Sequence, residues 1–425
     1  RWDGPPIRRC FVRDGHQVTQ SRSPSTNDAA SDPPGEPREA IRWLRREAER
    51  LRSGQPVSRS PDERTGRTSS GETEPAFSDR KNTSNVDRPT DRQTTDERSP
   101  KERLDDAHGR LNRLIGLKEI KDQIQTLSNF LKMQQQRVEA DLPSTKTSLH
   151  MAFVGNPGTG KTTVARIVAE IFGALGVLKK GHLVETDRSG LVAEYAGQTG
   201  PKTNAKIDEA LDGVLFIDEA YSLVDAGGQD QYGREAVQTL LKRMEDQRER
   251  LVVILAGYPD EMKTMIRSNP GLSSRVGTTM TFQDYPPRAL CEIFELIAKK
   301  SRYTLPTATR KRLLVGLGHR FENRDRHFGN GRTSRNSFER SIRRMANRLA
   351  EMKDVDHDTL TTLQPEDIEI VGITPQQLDT MCSEERKITV QCTACGAPAI
   401  ITCDQLLQAQ NCAECEEQYT PQWGD

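Results

Sequence analysis

The segment Gly155-Asn156-Pro157-Gly158-Thr159-Gly160-Lys161-Thr162 is the strongest indication of the fold in this chain. It matches the pattern G-x-x-x-x-G-K-[ST], whose glycines allow backbone N–H groups to close around a phosphate. In this pattern the lysine reaches the β- and γ-phosphates of a nucleotide, and the final hydroxyl ligates Mg²⁺. The segment therefore predicts a nucleoside triphosphate site in which Lys161 binds phosphate and Thr162 binds the metal ion.

The residues on either side of this loop favour the same interpretation over an incidental glycine turn. The apolar run from Leu149 to Val154 is typical of a buried parallel strand. After the loop, apolar residues recur at the spacing of a helix packed on a sheet. Such a helix points its positive N-terminus at a bound phosphate, which adds Thr163 to the predicted binding residues. The apolar positions are Val164, Ile167, Val168, Ile171, Phe172 and Leu175.

Two acids follow a second apolar run, Val214 to Ile217. Asp218, at the carboxyl end of a predicted strand, can lie beside the phosphate loop and hold Mg²⁺ through water. Glu219 is then placed to orient and polarise an attacking water. The alternative is that the two acids only cap the next helix. The phosphate loop upstream favours the hydrolytic interpretation.

Strand and helix patterns alternate through the middle of the chain. His182 to Glu185 and Leu251 to Ala256 predict further strands, and Leu111 to Met133 predicts one amphipathic helix. The alternation indicates the α/β class, with a three-layer parallel sheet. From Pro286 to Met352 only helical patterns occur, which indicates a small helical lid.

The predicted domain order has five parts. Residues 1–103 are polar and expected to be mostly disordered, with a short helix near 40–52 that either docks a partner or is a transient helix in a linker. Residues 104–285 form the nucleotide-binding subdomain and 286–355 the lid. Residues 356–386 are expected to be a polar linker, and 387–425 a cysteine-rich module.

Composition excludes several classes of function. Hydrophobic residues make up 33% of the chain, the mean hydropathy is -0.74, and Lys+Arg and Asp+Glu are both 62. The charge balance therefore indicates neither a nucleic-acid nor a membrane partner. No apolar run approaches the roughly 20 residues that span a bilayer, and no secretory signal pattern is present. We expect a cytoplasmic protein.

Four cysteines near the end of the chain have the spacing of a metal site. Cys392, Cys395, Cys412 and Cys415 form C-x₂-C-x₁₆-C-x₂-C, which suits tetrahedral Zn²⁺ bound by thiolates. Zinc would hold together a segment too small to fold around a core of its own. Cys403 lies between the pairs and is expected to be spare. Whether the module binds a partner or is purely structural stays open.

Two arginines and one tyrosine allow two interpretations each. Arg275 follows a turn-forming stretch, and Arg332 starts a lid helix with Arg335 one turn on. An arginine suits the charge that develops on a transferring phosphoryl group, but without further information each is more often a solvated surface charge, because this chain has many arginines. Tyr195-Ala196-Gly197 offers either an exposed aromatic that grips a peptide or a tyrosine packed on the sheet edge.

From about Leu104 to Glu351 the chain resembles the CbbX/CfxQ and stage V sporulation protein K branch of AAA+ ATPases, which includes the red-type Rubisco activase. It is also similar to the ATPase domain of type VII secretion ATPases. The cysteine module resembles short zinc ribbons appended to many bacterial proteins. The motifs that carry the AAA+ resemblance are Leu114-Ile115-Gly116-Leu117, HMAFVGNPGTGKTTVAR, GVLFIDEAY, LVVILAGYPDEM, SNPGLSSR and FGNGRTSRNSFE.

The resemblance implies a ring, usually a hexamer, with ATP at the subunit interfaces. It implies that Arg275 is an arginine finger acting on a neighbour's nucleotide and that Arg332, rather than Arg335, is the lid arginine that senses the γ-phosphate. Ile115 and Gly116 would line the adenine pocket, and Tyr195-Ala196-Gly197 would be the pore loop. Gly257-Tyr258 occupies the position of the usual polar sensor, which is therefore left unassigned.

The sequence favours an ATP-driven remodeller of an unknown protein client. The alternative is a nucleotide-switched scaffold, or a secretion-associated ATPase, that binds partners through the cysteine module and the N-terminal segment. Nucleic-acid remodelling is disfavoured because the cysteine module is acidic at Glu414, Glu416 and Glu417.

Overall fold

The computed structural model describes residues 98–143, 147–224 and 230–424. The predicted helix near 40–52 and most of the segment predicted to be disordered lie outside these residues. An ordered helix, α1 (Pro100–Arg113), begins before the predicted boundary at residue 104. Its start is fixed by a capping box in which Ser99 and Glu102 satisfy each other's backbone N–H groups, with Pro100 in the first turn.

Five parallel strands form the central sheet, in the order β2-β3-β4-β1-β5. Four of them match the predicted strands: β1 (Met151–Gly155), β2 (Leu183–Thr186), β3 (Gly213–Ile217) and β4 (Leu251–Gly257). The strands β1, β3 and β4 are buried along their whole length, which explains their continuous apolar sequences. The strand β5 (Thr278–Phe282) was not predicted, because only its alternate residues Met280 and Phe282 are buried.

Helices cover both faces of this sheet. Along β1, Met151 and Phe153 face one hydrophobic core and Ala152 and Val154 face the other, because side chains alternate along a strand. This arrangement confirms the predicted three-layer α/β fold. Among the described residues, no helix combines the length and apolarity needed to cross a membrane. The helices that follow β1 in this subdomain are α3 (Lys161–Ala174), α4 (Arg188–Leu191), α5 (Thr199–Glu209), α6 (Gln231–Asp246), α7 (Pro259–Ser268) and α8 (Pro270–Arg275).

The predicted single helix from Leu111 to Met133 is wrong. The chain forms α1 and then α2 (Lys118–Glu139), separated by a short turn. Gly116 and Leu117 have φ angles of 63° and 57°, and two successive left-handed residues cannot continue a right-handed helix. At this break Ile115 is half-buried and packs against a hydrophobic core formed mainly by later helices.

The lid is larger than predicted and includes the segment expected to be a linker. Its main helices are α9 (Pro287–Lys300), α10 (Thr307–Glu322) and α11 (Gly331–Ala350). Residues 356–386 add α12 (His357–Thr361) and α13 (Pro375–Ser383). The linker prediction failed because the apolar residues here have no regular period, yet they enter the lid core. The buried residues are Leu363, Ile368, Ile370, Ile373 and Leu378.

The last described residues, 387–424, form what we call the cysteine ribbon. It contains the antiparallel pair β6 (Lys387–Gln391) and β7 (Pro398–Thr402) and the short pair β8 (Gln410–Asn411) and β9 (Gln418–Tyr419). Its apolar residues belong to the same hydrophobic core as the lid helices. Cys403, expected to be spare, is fully buried in this shared core. The ribbon is therefore packed against the lid.

Candidate nucleotide-binding site

A cavity of about 700 Å³ lies at the carboxyl edge of the sheet, between the sheet and the lid. Carboxyl ends of parallel strands meet at one edge, so the loops after β1, β3 and β4 converge there. Most residues predicted to bind nucleotide line this cavity, whereas Asn156, Thr159 and Gly116 are not among its lining residues. The lining residues from the sequence predictions are Ile115, Gly155, Pro157, Gly158, Gly160, Lys161, Thr162, Thr163, Asp218, Glu219, Arg332 and Arg335.

The phosphate loop is held in a closed form by its own side chains. The Lys161 Nζ donates to the carbonyl oxygens of Gly155 at 2.8 Å and Asn156 at 2.9 Å, and the buried Thr159 hydroxyl also donates to Asn156 O at 2.8 Å. Burial lowers the pKa of Lys161, and the charge of Asp218 opposes this shift. The ammonium group is thus aimed into the loop.

The helix α3 begins directly at Lys161, after Gly160, whose φ is 94°. The N-cap residue Gly160 has no side chain, and within the described part of the chain no side-chain cap bonds to this helix start, so the first backbone N–H groups of α3 can bind an anion. Thr162 and Thr163, in the first turn, both line the cavity. This local geometry is what the glycine-rich pattern requires.

The two acids after β3 also line the cavity. The Asp218 N–H donates to Thr186 O at 2.8 Å, and the Glu219 N–H donates to Asp218 Oδ1 at 3.0 Å. Glu219 has a φ of 46°, a left-handed conformation that non-glycine residues adopt at a cost. Its side chain caps no helix, so the alternative that these acids only start the next helix is wrong for Glu219.

Part of the cavity lining is apolar, and we call Ile115, Ile293 and Ile297 the apolar pocket. Tyr285 also lines the cavity. Tyr285 donates its hydroxyl to Thr159 O at 3.1 Å, and burial raises its pKa to about 12, so the group stays protonated at neutral pH. The Tyr285 ring packs so closely on Gly116 that a Cβ atom there would lie 3.2 Å from it. Sequence reasoning missed Tyr285, because it follows the unpredicted strand β5.

The predicted arginines lie in two different places. Arg332 and Arg335 line the cavity from the start of α11, together with Arg113 and Lys300, which the sequence did not single out. Arg275 does not line it. Its guanidinium lies 3.3 Å from a carboxylate oxygen of Glu245 and donates to Gly271 O at 3.2 Å.

The tyrosine of Tyr195-Ala196-Gly197 is exposed. This segment connects α4 to α5, and 68% of the Tyr195 surface is accessible. Gly197 allows the local turn with a φ of 79°. The alternative that Tyr195 packs on the sheet edge is therefore wrong. Gly257 and Tyr258, at the unassigned sensor position, both line the nucleotide cavity.

The four paired cysteines of the ribbon converge on one point. Their sulfur atoms all lie within 4.8 Å of one another, with Cys392 to Cys415 at 3.7 Å and Cys395 to Cys412 at 3.6 Å. Four sulfurs at about 2.3 Å from one tetrahedral Zn²⁺ lie about 3.8 Å apart, which is close to the observed spacing. The cluster therefore fits a zinc ion, and Cys403 is not a member of it.

Comparison with known proteins identifies two domains. Residues 151–282 match the model of the ATPase family associated with various cellular activities (AAA), and residues 287–378 match the AAA lid domain. The second match extends through most of the segment first predicted to be a linker. The cysteine ribbon lies beyond both matches.

Three curated relatives share the core of the chain. The chloroplastic ribulose bisphosphate carboxylase/oxygenase activase of Cyanidioschyzon merolae is 42% identical over 257 residues, which is 60% of this chain and 87% of that protein. Protein CbbX of Cereibacter sphaeroides is 41% identical, covering 63% of this chain and 86% of that protein. Stage V sporulation protein K of Bacillus subtilis is 41% identical, covering 61% and 81%. With the phosphate loop and its paired acids in one cavity, the chain belongs to the CbbX/CfxQ and stage V sporulation protein K branch of the AAA ATPases and is an ATP-hydrolysing enzyme.

Proposed function

We propose that this protein is a ring-forming motor that uses ATP hydrolysis to remodel a protein client. One observation supports the ring above all. Arg275 lies outside the cavity that the other predicted catalytic residues share and pairs with Glu245 instead, so a role for it in hydrolysis requires a nucleotide in a neighbouring subunit. In a closed ring each subunit would present Arg275 to the next cavity, and we expect six subunits from the family.

Within one cavity each residue has a separate role. The Lys161 ammonium leaves the loop carbonyls to bind the β- and γ-phosphates, and the free N–H groups of α3 hold the same oxygens. Thr162 and Asp218 supply the hydroxyl and carboxylate that would hold Mg²⁺, which neutralises charge on the phosphate oxygens when it is bound. Glu219 accepts a hydrogen bond from the attacking water and orients it.

Two arginines would act on the charge that develops during phosphoryl transfer. Arg332 approaches from the lid of the same subunit, and Arg275 from the neighbouring subunit as an arginine finger. Ile115 and Gly116 would hold the adenine, with the Tyr285 ring against Gly116. Hydrolysis would therefore depend both on the position of the lid and on the contact between subunits.

The client would be gripped by the exposed Tyr195 in the pore of the ring. Its exposure supports this role, since the ring is accessible for contact with a client segment. The identity of the client is open, although the relative from Cyanidioschyzon merolae is named for activating ribulose bisphosphate carboxylase/oxygenase. A scaffold that changed state on binding ATP without hydrolysing it would not need an acid to orient water. The strained backbone conformation that holds Glu219 at the cavity therefore favours the motor over the scaffold.

We further propose that Cys392, Cys395, Cys412 and Cys415 hold a structural zinc ion. Zinc would supply the cross-link that four short strands lack. Its thiolate ligands persist in a reducing compartment such as the cytoplasm. Metal analysis of the purified protein tests this directly: about one zinc per chain is expected, and a metal-free protein with an intact ribbon would contradict it.

A subunit-mixing experiment tests the shared site. Glu219→Gln removes the water-orienting acid and Arg275→Ala removes the finger, so each variant alone should lose most of its ATPase activity, by about 10²–10⁴-fold for the acid. Neither substitution changes the phosphate loop, so both variants should still bind ATP.

Mixed rings should recover activity at one type of interface. There an Arg275→Ala subunit, with its Glu219 intact, meets a Glu219→Gln subunit that donates Arg275. A random equal mixture contains this pairing at about one quarter of its interfaces, so about a quarter of wild-type activity is expected if the sites act independently. A mixture as inactive as either variant would refute the proposal that Arg275 acts across an interface.

A further inference from the structure

Three polar side chains meet between the phosphate loop and the lid. Asn156 belongs to the loop, Asp284 follows β5, and Asn330 directly precedes α11. The Asn156 Nδ2 donates to both carboxylate oxygens of Asp284, at 2.9 and 3.1 Å, and the Asn330 Nδ2 donates to Asp284 Oδ1 at 2.7 Å. We call Asn156, Asp284 and Asn330 the clasp.

Asn330 is held in one orientation by its surroundings. It is fully buried, and its backbone has φ 47° and ψ −124°, which is unfavourable for a non-glycine residue. Its Oδ1 accepts from the Tyr285 N–H at 2.8 Å, and its Nδ2 also lies within 3.3 Å of Pro157 O and 3.1 Å of Phe328 O. A buried amide with its polar atoms satisfied resists displacement, because each lost hydrogen bond leaves an unpaired polar group.

The backbones of the loop and the lid also touch at this point. The Gly331 N–H donates to Gly158 O at 3.0 Å. A Cβ atom at position 158 would lie 2.1 Å from Gly329 O, so no side chain fits between the two segments. Arg332, the lid arginine that lines the cavity, is the next residue of α11. The position of Arg332 relative to the phosphate loop is therefore set by a contact one residue away.

We propose that the clasp positions Arg332 relative to the phosphate loop and transmits nucleotide-dependent movement of that loop to the lid. The Lys161 ammonium donates a hydrogen bond to the Asn156 carbonyl oxygen. When the ammonium turns to a bound phosphate, Asn156, the clasp residue in the phosphate loop, loses that hydrogen bond. Asp284 carries this change to Asn330 and hence to α11. The clasp residues are positioning residues, since none of their side chains lines the cavity. The inference rests on the proposed role of Arg332.

Asn330→Gly is the central test, because glycine tolerates the observed backbone angles and only the side chain is lost. A misplacement of about 1 Å at a reacting group can cost about 10²-fold, so we expect kcat/KM for ATP to fall by about that factor. Affinity for ADP should change less than about threefold, because the phosphate loop and the apolar pocket are intact. The nucleotide-dependent change in hydrogen exchange of α11 should disappear.

A swap of side chains separates positioning from simple loss of stability. Asp284→Asn weakens the acceptor, and Asn156→Asp places two carboxylates together, so each single variant should lose activity. In the double variant the amide introduced at position 284 can donate to the carboxylate introduced at position 156 and accept from Asn330. Its kcat/KM should return to within about threefold of wild type, since the pair of hydrogen bonds is restored.

Arg324→Gln is the matched control. Arg324 also contacts Asp284, at 3.2 Å, but its side chain is 38% exposed and lies outside the clasp, so activity should hardly change. The proposal is overturned if Asn330→Gly keeps its kcat/KM within about threefold of wild type, or if ADP affinity and activity fall together and the swap rescues neither. Arg332→Ala, tested alongside, shows separately whether the lid arginine itself matters.

Discussion

Replacing Trp423 with phenylalanine should loosen the contact between the cysteine ribbon and the lid. Trp423 is 4% exposed, and its Nε1 donates to Glu295 Oε2 at 2.7 Å. The Arg310 guanidinium lies over its ring, 4.5 Å from the ring centroid. Phenylalanine keeps an aromatic ring beneath Arg310 but has no N–H group to donate. The substitution therefore removes one hydrogen bond to a buried carboxylate.

The size of the effect follows from what Glu295 retains. A hydrogen bond to a charged group contributes about 1.5–3 kcal/mol. Glu295 keeps Arg310 at 2.6 Å and Lys299 at 2.9 Å, but both contact Oε1, so Oε2 loses the hydrogen bond from Trp423 and the upper part of that range applies. We expect the free energy of local opening to fall by about 2–3 kcal/mol, which makes the open state about 30- to 150-fold more populated. Trp423→Ala, which also removes the buried ring, should cost about 3–5 kcal/mol.

Hydrogen exchange of the full chain with ADP bound measures this opening region by region. Exchange should accelerate in α10 and in the ribbon, while α3, beneath the phosphate loop, serves as the internal reference. Lys311→Gln is the matched control, because Lys311 pairs with an exposed carboxylate of Asp404, and such a pair contributes at most about 1 kcal/mol. If Trp423→Ala left exchange in α10 unchanged, the ribbon would not be part of the lid's stability.

Three further predictions concern the client, the metal and pH. Tyr195→Ala should leave ATPase activity within about twofold, because an exposed residue outside the cavity adds nothing to hydrolysis, and should abolish remodelling in a client assay; full remodelling would remove Tyr195 from that role. Cys412→Ser should release the bound metal and speed exchange in the ribbon, and unchanged metal content would contradict the four-thiolate site. Burial raises the pKa of Glu295, but hydrogen bonds from Arg310, Lys299 and Trp423 outweigh it, and its pKa lies below the usual range. The ionised Glu295 therefore stabilises the folded lid fully above the unfolded pKa of about 4.3, and this stabilisation is lost as pH falls through the lower folded pKa. The stability advantage of the wild type over Glu295→Gln should shrink below about pH 4.3. A constant difference down to about pH 3 would refute this.

The nucleotide site was predictable because its signals are local. The phosphate loop is one contiguous stretch, and the acids Asp218 and Glu219 directly follow a strand whose apolar run is visible in the sequence. The four cysteines were similarly predictable, since paired spacing alone brings two thiolates of each pair to one point. Such features need only backbone geometry over a few residues.

Other parts of the site depend on contacts that the sequence does not reveal. Tyr285 reaches Thr159 across 126 positions of the chain, and its strand β5 has too few apolar residues to be recognised. The clasp joins Asn156 to Asp284 and Asn330 from three separate segments. Residues 356–386 looked like a polar linker because their apolar residues have no period, although a core formed by other helices accepts them.

The order of residues is enough to specify the α/β class, the phosphate loop at Gly155 to Thr162, its acidic partners and the cysteine cluster. Only the folded chain shows that the ribbon belongs to the lid, that Arg332 lies in the cavity and Arg275 outside it, and that the lid is tied to the phosphate loop. These two groups of features differ in how far apart along the chain the contacting residues lie. Turn geometry and ligand spacing are set by neighbouring residues, whereas burial of Trp423 against Glu295, 128 positions away, exists only once the whole lid has formed.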